Sequence, residues 1–188
     1  MIRCYVTDRR QGDVIESARR CIDAGVDYIQ IREKDLPPAA LLELAIAIRD
    51  LAAGSATRVL VNDRLDVALA AQIDGVHLPG NGLPAVEVRA RVRILGVSTH
   101  SVAEALAAQE AQADFVIFGP IFDTPGKQAV GVEALRSVTA AVHIPVLAIG
   151  GIRDSNSDEV MAAGAAGIAA IRLFQAPSPS GRGRPQGG

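Results

Sequence analysis

The sequence contains 188 residues, of which 49% are hydrophobic, 21% charged and 3% aromatic, and its formal net charge is -2. A weakly acidic chain with few aromatic side chains lacks the basic, stacking surface that nucleic-acid binding requires. No apolar run approaches the ~20 residues of a membrane span, and residues 1–6 resemble a strand and not a signal peptide. The composition therefore favours a cytoplasmic globular protein with a small-molecule partner and neither a nucleic-acid nor a membrane partner.

Eight short apolar segments predict β-strands, and six Ala-rich or Leu-rich amphipathic segments between them predict helices. The strands are expected at residues 2–7, 28–32, 58–62, 75–78, 94–98, 115–119, 146–150 and 167–171. The helices are expected at residues 13–24, 38–53, 66–71, 101–112, 132–142 and 154–163. Ser101 followed by Glu104 is typical of a helix start, and Gly25, Gly54 and Gly164 are placed where helices end.

Polar residues follow many of these strands, and they decide between a closed barrel and an open doubly wound sheet. If the strands are parallel, their polar ends gather at one rim, where barrels carry their active sites. The crevice of an open sheet would not collect residues from so many strands. The sequence therefore predicts a (β/α)8 TIM barrel formed by one domain over residues 1–175.

The last thirteen residues, 176–188, are Pro, Ser, Gly and Arg with almost nothing apolar, so we predict a disordered tail. The barrel then lacks a regular final helix. Either its wall is open between the eighth and first strands, or a second subunit covers it, which predicts a homo-oligomer, most simply a dimer.

Two rim segments carry groups that can bind phosphate. Side chains alternate along a strand, so Gln30, Arg32 and Lys34 share one face. Gly150 and Gly151 follow the seventh strand, next to Ile171 and Arg172 after the eighth, at the usual phosphate site of such barrels. The glycine pair is equally compatible with a tight turn alone.

Three further rim groups have a functional and a structural interpretation. Asp63 either binds a hard cation such as Mg2+ or caps the following helix. Lys127, on a Gly-rich and Pro-rich loop, is either a solvated lysine or a phosphate ligand brought in by loop closure. His77 ends the fourth strand and is expected to face a ligand at the rim.

Taken in order, the rim motifs resemble those of the thiamine phosphate synthase superfamily, which includes the thiazole tautomerases. The matching segments are Tyr5-Val6-Thr7-Asp8, Gln30-Ile31-Arg32-Glu33-Lys34, Val61-Asn62-Asp63-Arg64, Asp74-Gly75-Val76-His77-Leu78, Leu95-Gly96-Val97-Ser98-Thr99-His100, Gly119-Pro120-Ile121-Phe122 and Ala148-Ile149-Gly150-Gly151-Ile152. The resemblance implies a TIM barrel enzyme that joins an aminopyrimidine diphosphate to a thiazole phosphate and releases diphosphate with Mg2+.

The resemblance also implies roles for individual residues. Gln30, Arg32, Lys34 and Asn62 would hold the pyrimidine diphosphate, Asp63 the Mg2+ ion, Ser98 and Thr124 the reacting ligands, and Lys127 the diphosphate. Gly151 and the end of the eighth strand would hold the thiazole phosphate. The predicted catalytic residues are Arg32, Lys34, Ser98 and Lys127, and the predicted substrate-binding set also contains Gln30, Asn62, His77, Thr124, Gly150, Gly151, Ile171 and Arg172.

The chain departs from the superfamily's patterns at four positions. Gly82 replaces the second Mg2+ carboxylate of the synthases, Gly126 a loop threonine and Arg172 a serine, whereas Pro120 stands where tautomerases have a catalytic histidine. Three functions remain open: a synthase-like transferase, a tautomerase-like isomerase, and a non-catalytic barrel that binds thiazole or thiamine phosphates. Because Lys34, Asp63 and Lys127 are retained and proline cannot transfer a proton, the transferase is the preferred prediction.

Overall fold

Eight parallel strands pair in chain order and close on themselves in a computed structural model that describes residues 1–174. The strands are β1 (Ile2–Val6), β2 (Tyr28–Ile31), β3 (Arg58–Asn62), β4 (Gly75–Leu78), β5 (Ile94–Thr99), β6 (Phe115–Phe118), β7 (Val146–Ile149) and β8 (Gly167–Ala170). The predicted (β/α)8 barrel is confirmed.

Seven α-helices surround the strands over the described residues. They are α1 (Val14–Asp23), α2 (Pro38–Ala52), α3 (Leu65–Ala71), α4 (Ala85–Arg89), α5 (Val102–Glu110), α6 (Val132–Ala141) and α7 (Ser157–Ala162), and a 3-10 turn at Arg9–Gln11 precedes α1. The sequence pattern missed α4, because a five-residue helix is too short to show a period. None of the helices within residues 1–174 is long and apolar enough to cross a bilayer.

Strand alternation divides the apolar side chains into two layers. One layer lies between the strands and the helices, and the other fills the barrel interior. The interior cluster consists of Cys4, Val6, Leu60, Phe115, Ile117, Leu147 and Ala169. Tyr28 and Phe115 stack inside the barrel with 5.0 Å between ring centroids, and the His77 ring lies 5.9 Å from Phe115. Side chains of the described residues therefore fill the barrel interior, which is a packed core and not an open channel.

The sheet is continuous at the wall where an opening was considered. Strand β8 pairs with β1, with Ala170 opposite Tyr5. Leu173 and Phe174 pack against the core outside the barrel, and the Cys21 thiol lies 3.6 Å from the carbonyl oxygen of Phe174. The sheet is therefore not open there, and part of the chain after β8 covers the wall beside α1. The predicted disordered tail, residues 176–188, lies outside the described residues.

Candidate active site

A cavity of about 650 Å³ opens at the C-terminal ends of the strands. Ten of the predicted site residues line it: Gln30, Arg32, Lys34, Asn62, His77, Ser98, Thr124, Lys127, Gly150 and Ile171. Eight of these residues lie at or just beyond the ends of six strands, and Thr124 and Lys127 lie on the loop that follows β6, as the strand-end pattern predicted. Gly151, Arg172 and Asp63 do not line this cavity.

The cavity is cationic although the chain as a whole is weakly acidic. Its charged lining consists of Arg32, Lys34, Lys127 and Glu104, which is three cations and one carboxylate. None of the three cations forms a salt bridge with the described residues. Lys34 and Lys127 are also the chain's two lysines, whereas its other basic residues are arginines. Unpaired cations in a concave site attract anionic ligands.

A buried carboxylate fixes the end of β2, from which Arg32 and Lys34 project. Glu33 is 5% exposed and accepts a hydrogen bond of 2.6 Å from the Thr7 hydroxyl, while the Arg9 amide donates to the same carboxylate at 3.2 Å. The Thr7 oxygen in turn accepts from the Arg32 amide at 3.0 Å. Glu33 faces the layer between the strands and the helices, with Ile31 and Leu41, so its two neighbours reach the cavity side. Sequence reasoning gave Glu33 no role, although its place between two cations was a signal.

Asp63 lies just after β3, beside the main cavity. It lines an adjoining cavity of about 240 Å³, to which Lys34 and Asn62 also contribute. Its backbone is left-handed, with φ of 63°, a conformation that costs free energy for a non-glycine residue and is common at functional sites. No side-chain hydrogen bond caps α3. The structural interpretation of Asp63 as a helix cap is therefore wrong.

His77 and Ser98 meet on the floor of the cavity. The His77 Nε2 atom lies 2.8 Å from Ser98 Oγ, and the imidazole is 1% exposed. Burial, with a smaller contribution from the nearby Arg32 charge, lowers the pKa of His77 to about 3. The imidazole is therefore neutral at physiological pH.

The loop between β6 and α6 forms one wall of the cavity. Thr124 and Lys127 exchange two backbone hydrogen bonds of 3.2 and 2.9 Å around Pro125 and Gly126, and the resulting tight turn presents both side chains to the cavity. His100 secures the base of the loop through its Nδ1 atom, 2.6 Å from the Gly119 carbonyl oxygen. Since a carbonyl only accepts, Nδ1 carries the hydrogen.

The glycine pair after β7 allows this loop to pack closely. Gly150 and Gly151 have φ of 98° and 65°, and a Cβ on Gly151 would lie 2.7 Å from Phe122 Cβ. A Cβ on Gly150 would collide with Pro120. The pair is therefore required for backbone shape and close packing, and a phosphate role for it stays a prediction. Arg172 is exposed after Ile171, outside the cavity lining.

Three lining residues with polar side chains were missing from the predicted set. His100 and Asn81 follow strand ends, and Glu104 lies in the first turn of α5. The Glu104 carboxylate accepts from the His100 amide at 2.7 Å, and its own amide donates to Ser101 Oγ at 3.2 Å. The predicted cap at Ser101 is therefore present, and it also connects α5 to the cavity wall.

A closed parallel barrel with a cationic cavity at the C-terminal ends of its strands defines a TIM barrel of the enzyme type that handles anionic small molecules. Residues 4–174 match the family described as thiamine monophosphate synthase, and the chain belongs to that family. The family and the fold predicted from the sequence are both confirmed.

Individual relatives agree with this assignment. The thiamine-phosphate synthase of Methanoculleus marisnigri is 45% identical over 161 residues, covering 82% of this chain and 76% of the relative. That of Gloeobacter violaceus is 38% identical over 96% of this chain but only 54% of its own greater length. The solved structure of thiamine phosphate pyrophosphorylase from Pyrococcus furiosus superposes with a TM-score of 0.86 at 36% identity, covering 93% of this chain and 88% of that one.

Proposed function

We propose that this chain is a transferase of the thiamine-phosphate synthase type, which joins an aminopyrimidine diphosphate to a thiazole phosphate and releases diphosphate. The observation that carries the proposal is the convergence of Arg32, Lys34 and Lys127, without salt-bridge partners among residues 1–174, on one cavity. Two anionic substrates and an anionic leaving group require such a surplus of positive charge.

The reaction breaks the bond between the pyrimidine methylene carbon and a diphosphate oxygen, and the electron pair leaves with that oxygen. The electron-rich aminopyrimidine stabilises the resulting cation, and the thiazole nitrogen then donates its electron pair to the methylene carbon. No general base is needed for these steps. The residues therefore contribute by holding both substrates and by stabilising the charge of the departing diphosphate.

The proposed division of work follows the positions of the side chains. Arg32, Lys34 and Lys127 bind the diphosphate and stabilise its developing charge, and the tight turn at Thr124 and Lys127 brings the latter over the cavity. Gln30 and Asn62 orient the pyrimidine, with Ser98 on the floor of the site. The thiazole phosphate is assigned to the side where Gly150 and Ile171 line the cavity, and Gly151 and Arg172 follow them just outside the lining.

Mg2+ is part of the proposal, and the residues around Asp63 fit it. Mg2+ in proteins is typically held by one or two carboxylates together with waters and substrate phosphates. Asp63 supplies one carboxylate, and Asn62 and Lys34 beside it connect its pocket to the main cavity. No group of three His, Cys, Asp or Glu side chains within residues 1–174 could hold a metal unaided. Asp63 and diphosphate oxygens would therefore hold the ion together, and the ion would neutralise leaving-group charge.

The test is direct: the purified chain is incubated with the aminopyrimidine diphosphate, the thiazole phosphate and Mg2+, and thiamine phosphate is followed by fluorescence after oxidation. Product above a heat-inactivated control is expected. Absence of product at saturating substrates, from protein that melts cooperatively, would contradict the proposal and leave the non-catalytic barrel as the interpretation.

A tautomerase-like isomerisation has less support from the site. Pro120 cannot accept or donate a proton, and the Nε2 atom of His77 is already hydrogen-bonded to Ser98. Incubation with the thiazole carboxylate phosphate provides the comparison. Isomerisation without any coupling would replace the proposed transferase by this activity.

The same proposal includes predictions of the protein's cellular location and of its oligomeric state. A cytoplasmic location is consistent with the biosynthetic substrates. A homodimer is also predicted, and light scattering of the purified 188-residue chain measures its mass directly.

A further inference from the structure

We propose that His77 is a positioning residue, which holds the Ser98 hydroxyl so that its hydrogen points into the cavity and donates to a phosphoryl oxygen of the ligand. The inference rests on the proposed function for the identity of that ligand. In this arrangement His77 acts through Ser98. The Ser98 hydroxyl donates a hydrogen bond to an anionic phosphoryl group and does not accept one from the amino group of the pyrimidine.

The two ring nitrogens of His77 have different surroundings. Nε2 lies 2.8 Å from Ser98 Oγ. Nδ1 is buried and has no hydrogen-bond partner among the described residues. Its neighbours are the Gly96 backbone and the Phe115 ring, since a Cβ on Gly96 would lie 2.6 Å from Nδ1 and 2.5 Å from Phe115 Cζ.

These surroundings select one tautomer of the neutral imidazole. A hydrogen on Nδ1 would be a buried N-H without an acceptor, and orphaned buried donors are rarer in proteins than under-used acceptors. A hydrogen on Nε2 leaves only a lone pair at Nδ1 without a partner. Nε2 is therefore the donor, and Ser98 Oγ accepts from it.

The direction of this hydrogen bond determines what Ser98 offers to a ligand. Its oxygen is engaged by His77, and its own hydrogen has no acceptor among residues 1–174. Ser98 lines the cavity, and Arg32 lines the same cavity. The free O-H therefore faces a space that attracts anions, and a phosphoryl oxygen is the acceptor that fits both groups.

Four variants test the positioning role through kcat, KM and the Kd of inorganic diphosphate. Ser98→Ala and His77→Leu are each expected to weaken diphosphate binding and kcat/KM, roughly 10- to 100-fold for one hydrogen bond to a charged group. The double variant is expected to match Ser98→Ala within about twofold, because His77 acts through Ser98. His77→Gln, which can still donate from its amide, is expected to recover most of the loss. His143→Leu, an exposed histidine at the other end of the barrel, is the control.

Additive effects in the double variant, or no recovery with glutamine in a folded protein, would show that His77 does not act through Ser98 and would overturn the inference. The tautomer is tested without any change at His77. The chain has three histidines, so nitrogen NMR of histidine-labelled protein, assigned with His100→Gln and His143→Gln, isolates the His77 ring. A hydrogen on Nε2 is expected, and one on Nδ1 or on both nitrogens would refute the proposal.

The diphosphate and NMR measurements need no turnover. If the wild-type chain makes no thiamine phosphate but shows the expected tautomer and coupled diphosphate binding, the proposed function fails and the inference stands. If the chain makes thiamine phosphate but the hydrogen lies on Nδ1 of His77, the proposed function stands and the inference about His77 fails.

Discussion

The Asp63 carboxylate lies directly beside Gly82: a Cβ built on Gly82 would be 2.8 Å from Asp63 Oδ1. These residues follow different strands and are 19 positions apart in the sequence. Position 82 is therefore where a second carboxylate would join Asp63, and this is the position at which the synthases resembled by the sequence carry one.

The first prediction restores that carboxylate. Gly82→Asp is expected to lower the Mg2+ concentration for half-maximal activity by roughly tenfold, because a second carboxylate adds a ligand of the type that Mg2+ prefers. Gly82→Ala adds the same Cβ without the charge and is the matched control. An equal shift in both variants would mean that packing at position 82, and not metal binding, is responsible.

The second prediction concerns the carboxylate already present. Asp63→Asn is expected to reduce kcat/KM by roughly 100-fold, about 3 kcal/mol of transition-state stabilisation. Asparagine accepts the left-handed backbone as readily as aspartate, so stability is expected to be unchanged. Asp66→Asn, which removes an exposed carboxylate paired with Arg64, is the control with little effect. Near-parental coupling activity of Asp63→Asn would remove Asp63 from the proposed metal site.

The third prediction is that Lys127→Ala loses roughly 100-fold in kcat/KM while its melting temperature stays within experimental error. The side chain is exposed on a loop and contributes little to the core, whereas its charge stabilises the leaving diphosphate. Arg136→Ala removes an exposed cation from α6 that does not line the cavity, and it should leave the kinetics unchanged. Equal effects of the two variants would indicate a general charge effect.

The fourth prediction uses the placement of both lysines in the cavity. Pyridoxal phosphate forms imines with primary amines, and borohydride reduces these imines to stable secondary amines. Apart from the chain's N-terminal amine, this treatment can modify only Lys34 and Lys127. Inactivation is expected to follow the labelling of these residues, as identified by peptide mass, and inorganic diphosphate is expected to slow it. Full activity of a doubly labelled protein would contradict a lysine contribution to the site.

The fifth prediction separates the cost of backbone strain from the cost of lost close packing by comparing Gly126 with Gly151. Gly126 and Gly151 both have positive φ, 78° and 65°, but a Cβ on Gly126 meets nothing within 4 Å. Gly126→Ala is expected to cost about 1 kcal/mol of unfolding free energy, and Gly151→Ala about 3 kcal/mol because it also displaces Phe122. Urea denaturation measures both values. Equal losses of unfolding free energy would mean that the loop carrying Phe122 moves away from residue 151 without a further loss of stability.

The sequence predicted the parts of the site that follow from local pattern. Alternation placed Gln30, Arg32 and Lys34 on one face of the predicted second strand and its continuation. The rule that parallel strands share one rim brought them close to Ser98 and Lys127. These inferences need only the direction of each strand. The family resemblance was confirmed as well, and its motifs lie at the same strand ends.

Contacts that depend on register could not be predicted. His77 lies opposite Gly96 on β5, and only that pairing brings its Nε2 atom to Ser98. No sequence period encodes the register of two parallel strands that a long crossover separates. The contact between Asp63 and Gly82, and the packing of Gly151 beneath Phe122, depend on loop conformations for the same reason.

The stacked rings of Tyr28 and Phe115, with the tilted ring of His77 beside them, also restrict the path by which ligands reach the site. They and the apolar side chains beneath them fill the barrel interior, so the described part of the chain offers ligands no passage along the barrel axis. Both substrates and both products must then enter and leave through the opening at the C-terminal ends of the strands. Whichever ligand sits deeper cannot depart before the one above it, so the depth of each subsite, and not its affinity alone, would set the order of arrival and departure.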